Sequence, residues 1–424
     1  MQLQVILVLI ISVEFCISTW NINNNGRRIS TNFNQKPKTR QISTEESNID
    51  RNVREDSNLK IPQLIAKYGY PVEIHHVTTK DGFILELHRI PLPRAVPVLL
   101  IHGLFDSSST FVIMGPDKGL AYFLYDMGYD VWMVNCRGNI YSKKHITLNP
   151  SNPEFWNYTF HEIGIYDLPA SIDYILPTTN FKRLHLIGHS QGGSAFLIMC
   201  SILPEYNRKI ISMSGLAPAA FIGENKSPIV DILSYFQEPI TNFYKSIGRH
   251  EFLTNLDFVK RFGANICKEG RTTQALCTNG IFLLTGFDEN QINKTMLPVI
   301  LSHTPSGGSL KNVLHFGQLR KSGRFRQYDY GKMGNIQKYG RKTPPDYDLS
   351  KVTGKVAIYY AKNDYLTVPR DMEKLIQGLP NVVEKYLVEY PQFNHIDFVW
   401  GVNARELVYY ELLRVMKLIQ IGQL

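Results

Sequence analysis

The pentapeptide Gly188-His189-Ser190-Gln191-Gly192 sets a serine between two glycines, at the point where an apolar run, Leu184–Ile187, gives way to an apolar helical stretch from Gly193. A hydroxyl on such a corner is a candidate nucleophile. Small residues at Gly188 and Gly192 let the chain turn sharply, and the start of a helix favours negative charge developing beside the hydroxyl. Serine needs a base to attack a carbonyl. Four of the twelve histidines follow Ser190: His250, His303, His315 and His395. Only His395, in Phe393-Asn394-His395-Ile396-Asp397-Phe398, lies in a loop just after the last apolar strand-like run, where an imidazole can reach across strand ends. The acid that holds the imidazole tautomer should follow an earlier strand, and Asp364 does so after Val356–Tyr360. Asp371 is the rival, expected in a helix as a solvated charge, and Asp397 breaks the order by following the histidine. Two backbone N–H groups must receive the oxyanion. Gln191, next after the nucleophile, supplies one, and Leu104, just past His102-Gly103, supplies the other. This chemistry calls for no cofactor and no metal, and the chain has no Cys-x-x-Cys pair.

The elements that must position these groups are legible as alternation. The stretch around Lys80-Asp81-Gly82 reads as a hairpin, with the turn at Gly82. Buried strands follow at Val96–Ile101, Tyr129–Asn135, Leu184–Gly188, Lys209–Leu216 and Gly354–Tyr360, and again before Pro391. Helices fall between them. Apolar strands alternating with helices specify an α/β fold with a mostly parallel central sheet covered on both faces. The rhythm breaks between about Pro218 and Tyr347, which reads as a mostly helical insertion. The resulting division is 1–18, 19–58, 59–218, 219–347 and 348–424: a signal peptide, a disordered tail or propeptide, the first part of the core, the insertion, and the second part of the core.

The signal assignment rests on the apolar run Val5–Val13, too short to span a bilayer comfortably, with cleavage after Ser18. No later stretch is long enough for a transmembrane anchor. The tail is rich in Asn, Ser, Thr and charge, a composition that does not bury a core. The 424 residues carry a formal charge of +9, with 44% hydrophobic and 20% charged residues. The basic residues are scattered without a nucleic-acid motif, which argues against nucleic acid as a partner. In an oxidising compartment Cys267 and Cys277, close in sequence, pair as a disulfide, whereas Cys200 is a buried thiol. Sequons at Asn157, Asn225 and Asn293 mark exposed positions for glycan.

The sequence resembles the acid lipase family of α/β-hydrolases, which contains gastric and lysosomal lipases and related insect enzymes. The resemblance runs from about Leu59 to near the C-terminus, through "YGYPVEIHHVTTKDGFILELHRIP", "HGLFDSS", "GYDVWMVNCRGNIYS", "GHSQGG", "HFGQLRKSGRFRQYDYG", "AKNDYLTVP" and "FNHIDFVWG". It departs at Cys136, where the family has a small polar residue, and in a longer tail. The resemblance implies a lipase whose nucleophile, acid and base fall on Ser190, Asp364 and His395. It also implies a cap over the acyl pocket from the insertion, a Cys267–Cys277 bridge, and secretion or lysosomal delivery. The substrate would be a neutral lipid ester, triacylglycerol or cholesteryl ester, met at a lipid–water interface. The alternative is a non-catalytic lipid carrier on the same fold. Oligomeric state is left open by the sequence.

Overall fold

Runs of Val, Ile and Leu long enough for a strand and flanked by turns have to hide both faces, and they set the architecture. The computed structural model describes residues 44–248, 250–252 and 274–424. Its main sheet has nine strands. Eight lie in the order β1 (Glu73–Thr78), β2 (Phe83–Ile90), β4 (Asp130–Val134), β3 (Pro97–Ile101), β6 (Leu184–His189), β7 (Ile210–Leu216), β10 (Val356–Tyr360) and β11 (Val382–Leu387). β5 (Lys144–His145) pairs with β2. The β1–β2 and β2–β4 pairs are antiparallel, and the rest of the order is parallel. The expected hairpin is present, with Gly82 at φ +97°, where a Cβ would also strike the His145 ring at 2.7 Å.

Alternate residues of the central strands feed two separate cores, one on each face. Leu99 and Ile101 join Trp132, Val134, Leu184 and Leu186. Val98 and Leu100 join Val131, Met133 and Ile187. This period of two is what a strand requires. Every residue of β3, β4 and β6 is buried, and each Val, Leu, Ile and Met among them contributes about 1.5–3 kcal/mol by leaving water. The parallel registers align the carboxyl ends of neighbouring strands: Ile101 opposite Gly188, His189 opposite Leu216, and Leu216 opposite Tyr359. Loops leaving these ends therefore share one rim, the usual ligand edge of such sheets.

Between β7 and β10 the described residues are mostly helical: Pro228–Tyr235, Gln237–Ser246, Gln274–Thr285, Leu297–His303, Leu310–Ser322 and Gly331–Tyr339. The short pair β8 (Glu251–Phe252) and β9 (Gly308–Ser309) lies among them.

Three expectations are corrected. The tail expected to stay disordered through Asn58 instead ends in a helix, Thr44–Asn58. Its composition gives little to bury, but Asp56 is captured by tertiary partners: its carboxylate accepts from Lys67 Nζ at 2.7 Å and Tyr68 OH at 2.5 Å, and its carbonyl accepts from His303 Nε2 at 2.9 Å. Asn225 is not an exposed sequon. It is 5% exposed, its Nδ2 donates to the Ile222 carbonyl and its Oδ1 accepts from the Ser227 N–H. Asp371 does lie in a helix, Pro369–Gly378, but it is buried rather than solvated, and its Oδ2 accepts the Glu224 N–H at 2.9 Å. Asn157 is exposed and Asn293 half-buried. Cys136 and Cys200 are buried free thiols. The Cys267–Cys277 pairing and residues 1–18 lie outside the described residues and side chains.

Candidate active site

The glycines around Ser190 are explained by contact distance. A Cβ on Gly188 would stand 2.6 Å from the backbone of Gly192 and Gly193, and one on Gly192 would stand 2.3 Å from the Ile101 carbonyl oxygen. The elbow is pressed onto β3 so closely that no side chain fits. Ser190 itself has φ +52° and ψ −116°, a strained backbone for a non-glycine residue. Its N–H donates to Leu216 O at 2.9 Å. Its carbonyl accepts from Gly193 and Ala219 at 3.1 Å and from Ser194 at 3.3 Å. The helix Gln191–Ile202 opens immediately after it.

The structure brings the expected acid and base together. His395 Nδ1 lies 2.8 Å from Asp364 Oδ2. Asp364 is fully buried. Its Oδ1 accepts the Leu366 and Thr367 N–H groups, each at 2.8 Å, and its Oδ2 also accepts the Thr367 hydroxyl at 2.6 Å. Burial pushes this carboxyl up, but the His395 charge and these hydrogen bonds outweigh it and hold Asp364 below the usual carboxylate range.

His395 reaches the elbow through His189, whose ring centroid is 5.0 Å from its own and whose Nε2 donates to the His395 carbonyl at 3.0 Å. Burial first, then the neighbouring His395, lowers the His189 pKa to about 3, so this imidazole stays neutral. Sequence reasoning gave His189 only a place in the turn. The structure adds a hold on the backbone of the candidate base.

The Leu104 side of the site is equally tight. A Cβ on Gly103 would meet His189 Nδ1 at 3.3 Å and Ser190 Cβ at 3.4 Å. Among the described residues neither the Leu104 nor the Gln191 N–H finds a backbone acceptor. The Gln191 side chain is held from the far side of the chain: Asn312 Nδ2 donates to Gln191 Oε1 at 2.6 Å, and Asn312 Oδ1 accepts the Phe160 N–H at 2.7 Å. No sequence signal marks Asn312.

A second serine–histidine–carboxylate series exists: Ser108 Oγ lies 2.7 Å from His88 Nδ1, and His88 Nε2 lies 2.8 Å from Glu86 Oε1. Ser108 and His88 are both fully buried, so no substrate reaches this serine, whereas Ser190 is partly exposed. Among the described residues no cluster of His, Cys, Asp or Glu has the geometry to hold a metal ion.

The strand order, the elbow after β6 and the Asp364 and His395 loops after β10 and β11 define an α/β-hydrolase fold. Residues 96–402 match the alpha/beta hydrolase fold family and residues 61–115 the partial alpha/beta-hydrolase lipase region. Lipase 1 of Drosophila melanogaster is 45% identical over 368 residues, covering 86% of this chain and 81% of that protein. The gastric triacylglycerol lipase of Bos taurus is 36% identical over 372 residues, covering 85% and 92%. A crystal structure from Sulfolobus solfataricus shares the fold with a TM-score of 0.56 at 15% identity, covering 82% of this chain and 93% of that one. The chain belongs to the acid lipase family.

Proposed function

We propose that this protein hydrolyses carboxylic esters of neutral lipids, triacylglycerol or cholesteryl ester, through an acyl-enzyme on Ser190. Ser190 Oγ attacks the ester carbonyl while His395 takes its proton, and Asp364 stabilises the resulting imidazolium. The Leu104 and Gln191 N–H groups receive the oxyanion. Losing one such donor costs about 10²–10³ in rate. His395 then gives the proton to the leaving alcohol. Water, deprotonated by His395, attacks the acyl carbonyl, and the fatty acid leaves as Ser190 recovers its proton.

The observation that carries this reading is the 2.8 Å contact of His395 with a buried, ionised Asp364, beside an elbow that holds its serine at positive φ. The lipid preference is supported by the relatives called lipases and gastric triacylglycerol lipases. Residues 219–347 serve as a cap over the acyl chain and open at a lipid surface. Among the described residues no helix is long and apolar enough to cross a membrane. A cleaved signal over 1–18 then leads to secretion or lysosomal delivery, with glycan at Asn157 and Asn293.

The test is Ser190→Ala in purified protein, assayed on a short-chain nitrophenyl ester, on emulsified triacylglycerol and with a fluorophosphonate label. Turnover is expected to fall more than about 10⁴-fold with no labelling. Undiminished turnover would refute the assignment. A wild-type protein that binds lipid but neither reacts with the label nor turns over ester would be the carrier instead.

A further inference from the structure

The two N–H groups assigned to the oxyanion belong to core loops, yet one short stretch of the insertion, residues 304–312, braces the chain at both. On the Leu104 side, Phe105 follows the donor directly and has φ +61°, a strained backbone for a residue with a side chain. Such a conformation persists only where its surroundings hold it. Here the Ser306 N–H donates to Phe105 O at 2.6 Å, and the Thr304 hydroxyl donates to Asp106 Oδ1 at 3.2 Å. The Phe105 ring stacks on Phe252 with centroids 5.4 Å apart, and a Cβ on Gly308 would meet it at 3.5 Å. On the Gln191 side, Asn312 Nδ2 donates to Gln191 Oε1 at 2.6 Å. The core fixes the direction of this bond. The other end of the Asn312 amide, Oδ1, accepts the Phe160 N–H at 2.7 Å, and a backbone N–H can only donate. The stretch is pinned between these points as well: the Ile140 N–H donates to Ser306 O at 3.0 Å, and the Ser309 hydroxyl to Trp156 O at 2.5 Å. Ser306, Ser309, Asn312 and Gln191 are all buried, so water does not stand in for these bonds.

We propose that Ser306 and Asn312 are positioning residues for the oxyanion site, Ser306 through its hold on Phe105 beside Leu104, and Asn312 through the Gln191 side chain. Residues 304–312 then work as part of the catalytic core, although the chain order places them in the insertion. The inference deepens the hydrolase reading and rests on it. Oxyanion donors serve the transition state only when they already point at the developing charge, and a displacement of about 1 Å can cost about 100-fold in rate. Pinning Oε1 of Gln191 restricts the residue that carries one donor, and pinning the Phe105 carbonyl restricts the turn that carries the other. Any opening of the cap to admit lipid must leave this stretch seated, because lifting it would release both supports at once.

Asn312→Leu is close in size and removes both hydrogen bonds. Its kcat on a soluble nitrophenyl ester should fall about 10–100-fold, with KM within about twofold of wild type. Asn312→Asp should stay within about threefold in kcat, because either form of the acid serves. Protonated, it donates to Gln191 Oε1; ionised, it accepts from the Gln191 amide once that turns over; in both, the other oxygen keeps the Phe160 N–H. Gln191→Leu retains the backbone N–H and loses the brace. Combined with Asn312→Leu it should be no slower than the slower single variant, as for residues that act as one unit. A folded Asn312→Leu protein with lowered Tm and unchanged kcat would overturn the proposal. So would an Asn312→Asp protein as slow as Asn312→Leu, or fully multiplying losses in the double variant. A second measurement needs no variant to fold: amide hydrogen exchange of the wild type before and after a fluorophosphonate occupies Ser190 and sets a phosphoryl oxygen at the oxyanion site. Exchange across residues 304–312 should slow about tenfold, since coupled sites stabilise each other reciprocally. Unchanged exchange there would overturn the proposal. A wild type that takes no label, with full activity in Ser190→Ala, would refute the hydrolase reading and this inference with it, whereas a labelled wild type giving the overturning results refutes the inference alone.

Discussion

Asp364→Asn separates the charge of the proposed acid from its shape. The surroundings leave the asparagine one orientation. Oδ1 of Asp364 receives the Leu366 and Thr367 N–H groups at 2.8 Å, so the amide NH₂ cannot sit there without facing two donors. It must take the place of Oδ2, 2.8 Å from His395 Nδ1, while the Thr367 hydroxyl turns to donate elsewhere or to accept. The NH₂ then donates to Nδ1, which must be bare, and the imidazole proton is forced onto Nε2, the atom assigned to receive the serine proton. The wrong tautomer and the missing counter-charge together should lower kcat about 10⁴-fold, or about 5.5 kcal/mol in barrier. The assay is kcat on a soluble short-chain ester, with Tm and circular dichroism to establish that the fold is intact. Thr367→Val is the control: it removes one hydrogen bond from the same carboxylate and should cost about 1 kcal/mol of stability with less than about tenfold in kcat. A folded Asp364→Asn protein within about tenfold of wild type would show that this carboxylate does not orient the base, and the relay would have to be redrawn.

Asp364 should also leave a mark on acid unfolding. Its folded-state value is depressed, so its contribution to stability is present above the ordinary carboxylate range and lost as pH falls through the lowered value; Tm against pH should drop in acid more steeply in wild type than in Asp364→Asn. Asn312→Ala leaves Gln191 Oε1 and the Phe160 N–H without a partner in the interior, and should cost about 1–3 kcal/mol in a denaturant titration. Gly192→Ala puts a methyl 2.3 Å from the Ile101 carbonyl and should abolish soluble expression or activity, whereas Gly103→Ala needs neighbours to yield only a few tenths of an ångström and should fold with reduced kcat. Ser108→Ala should leave turnover unchanged, because that hydroxyl is sealed inside the protein.

What the sequence disclosed about the site followed from locality and from strand order. The Ser190 turn is made by residues within five positions, and its glycines are needed for close contacts of the turn with its own backbone, at Gly188, and with Ile101, at Gly192. Asp364 was legible because it follows the apolar run of β10, and His395 because it lies in the loop after the last strand, although that strand, Val382–Leu387, is only half-buried. The sheet was legible for the same reason, since two-sided burial leaves continuous runs of Val, Ile and Leu. What stayed hidden depends on partners distant along the chain. Asn312 reaches Gln191 across 121 positions. Asp397, which breaks the order expected of an acid, proves to be a buried acceptor for the Asn394 N–H. Asn225 satisfies the sequon pattern, yet its amide is already spent on Ile222 and Ser227. Composition alone also misjudged residues 44–58, because a polar helix can be held by a single buried carboxylate.

That last helix makes the position of any cleavage in the N-terminal segment matter for stability. A cut after Asn58 would strip Lys67 of both Glu55 and Asp56, leave the Tyr68 hydroxyl facing an emptied site, and take from His303 the carbonyl it binds. A chain cut between Asp56 and Lys67 should therefore unfold at a lower temperature than one cut upstream of Asp56, since only the second keeps the buried aspartate that these three residues share.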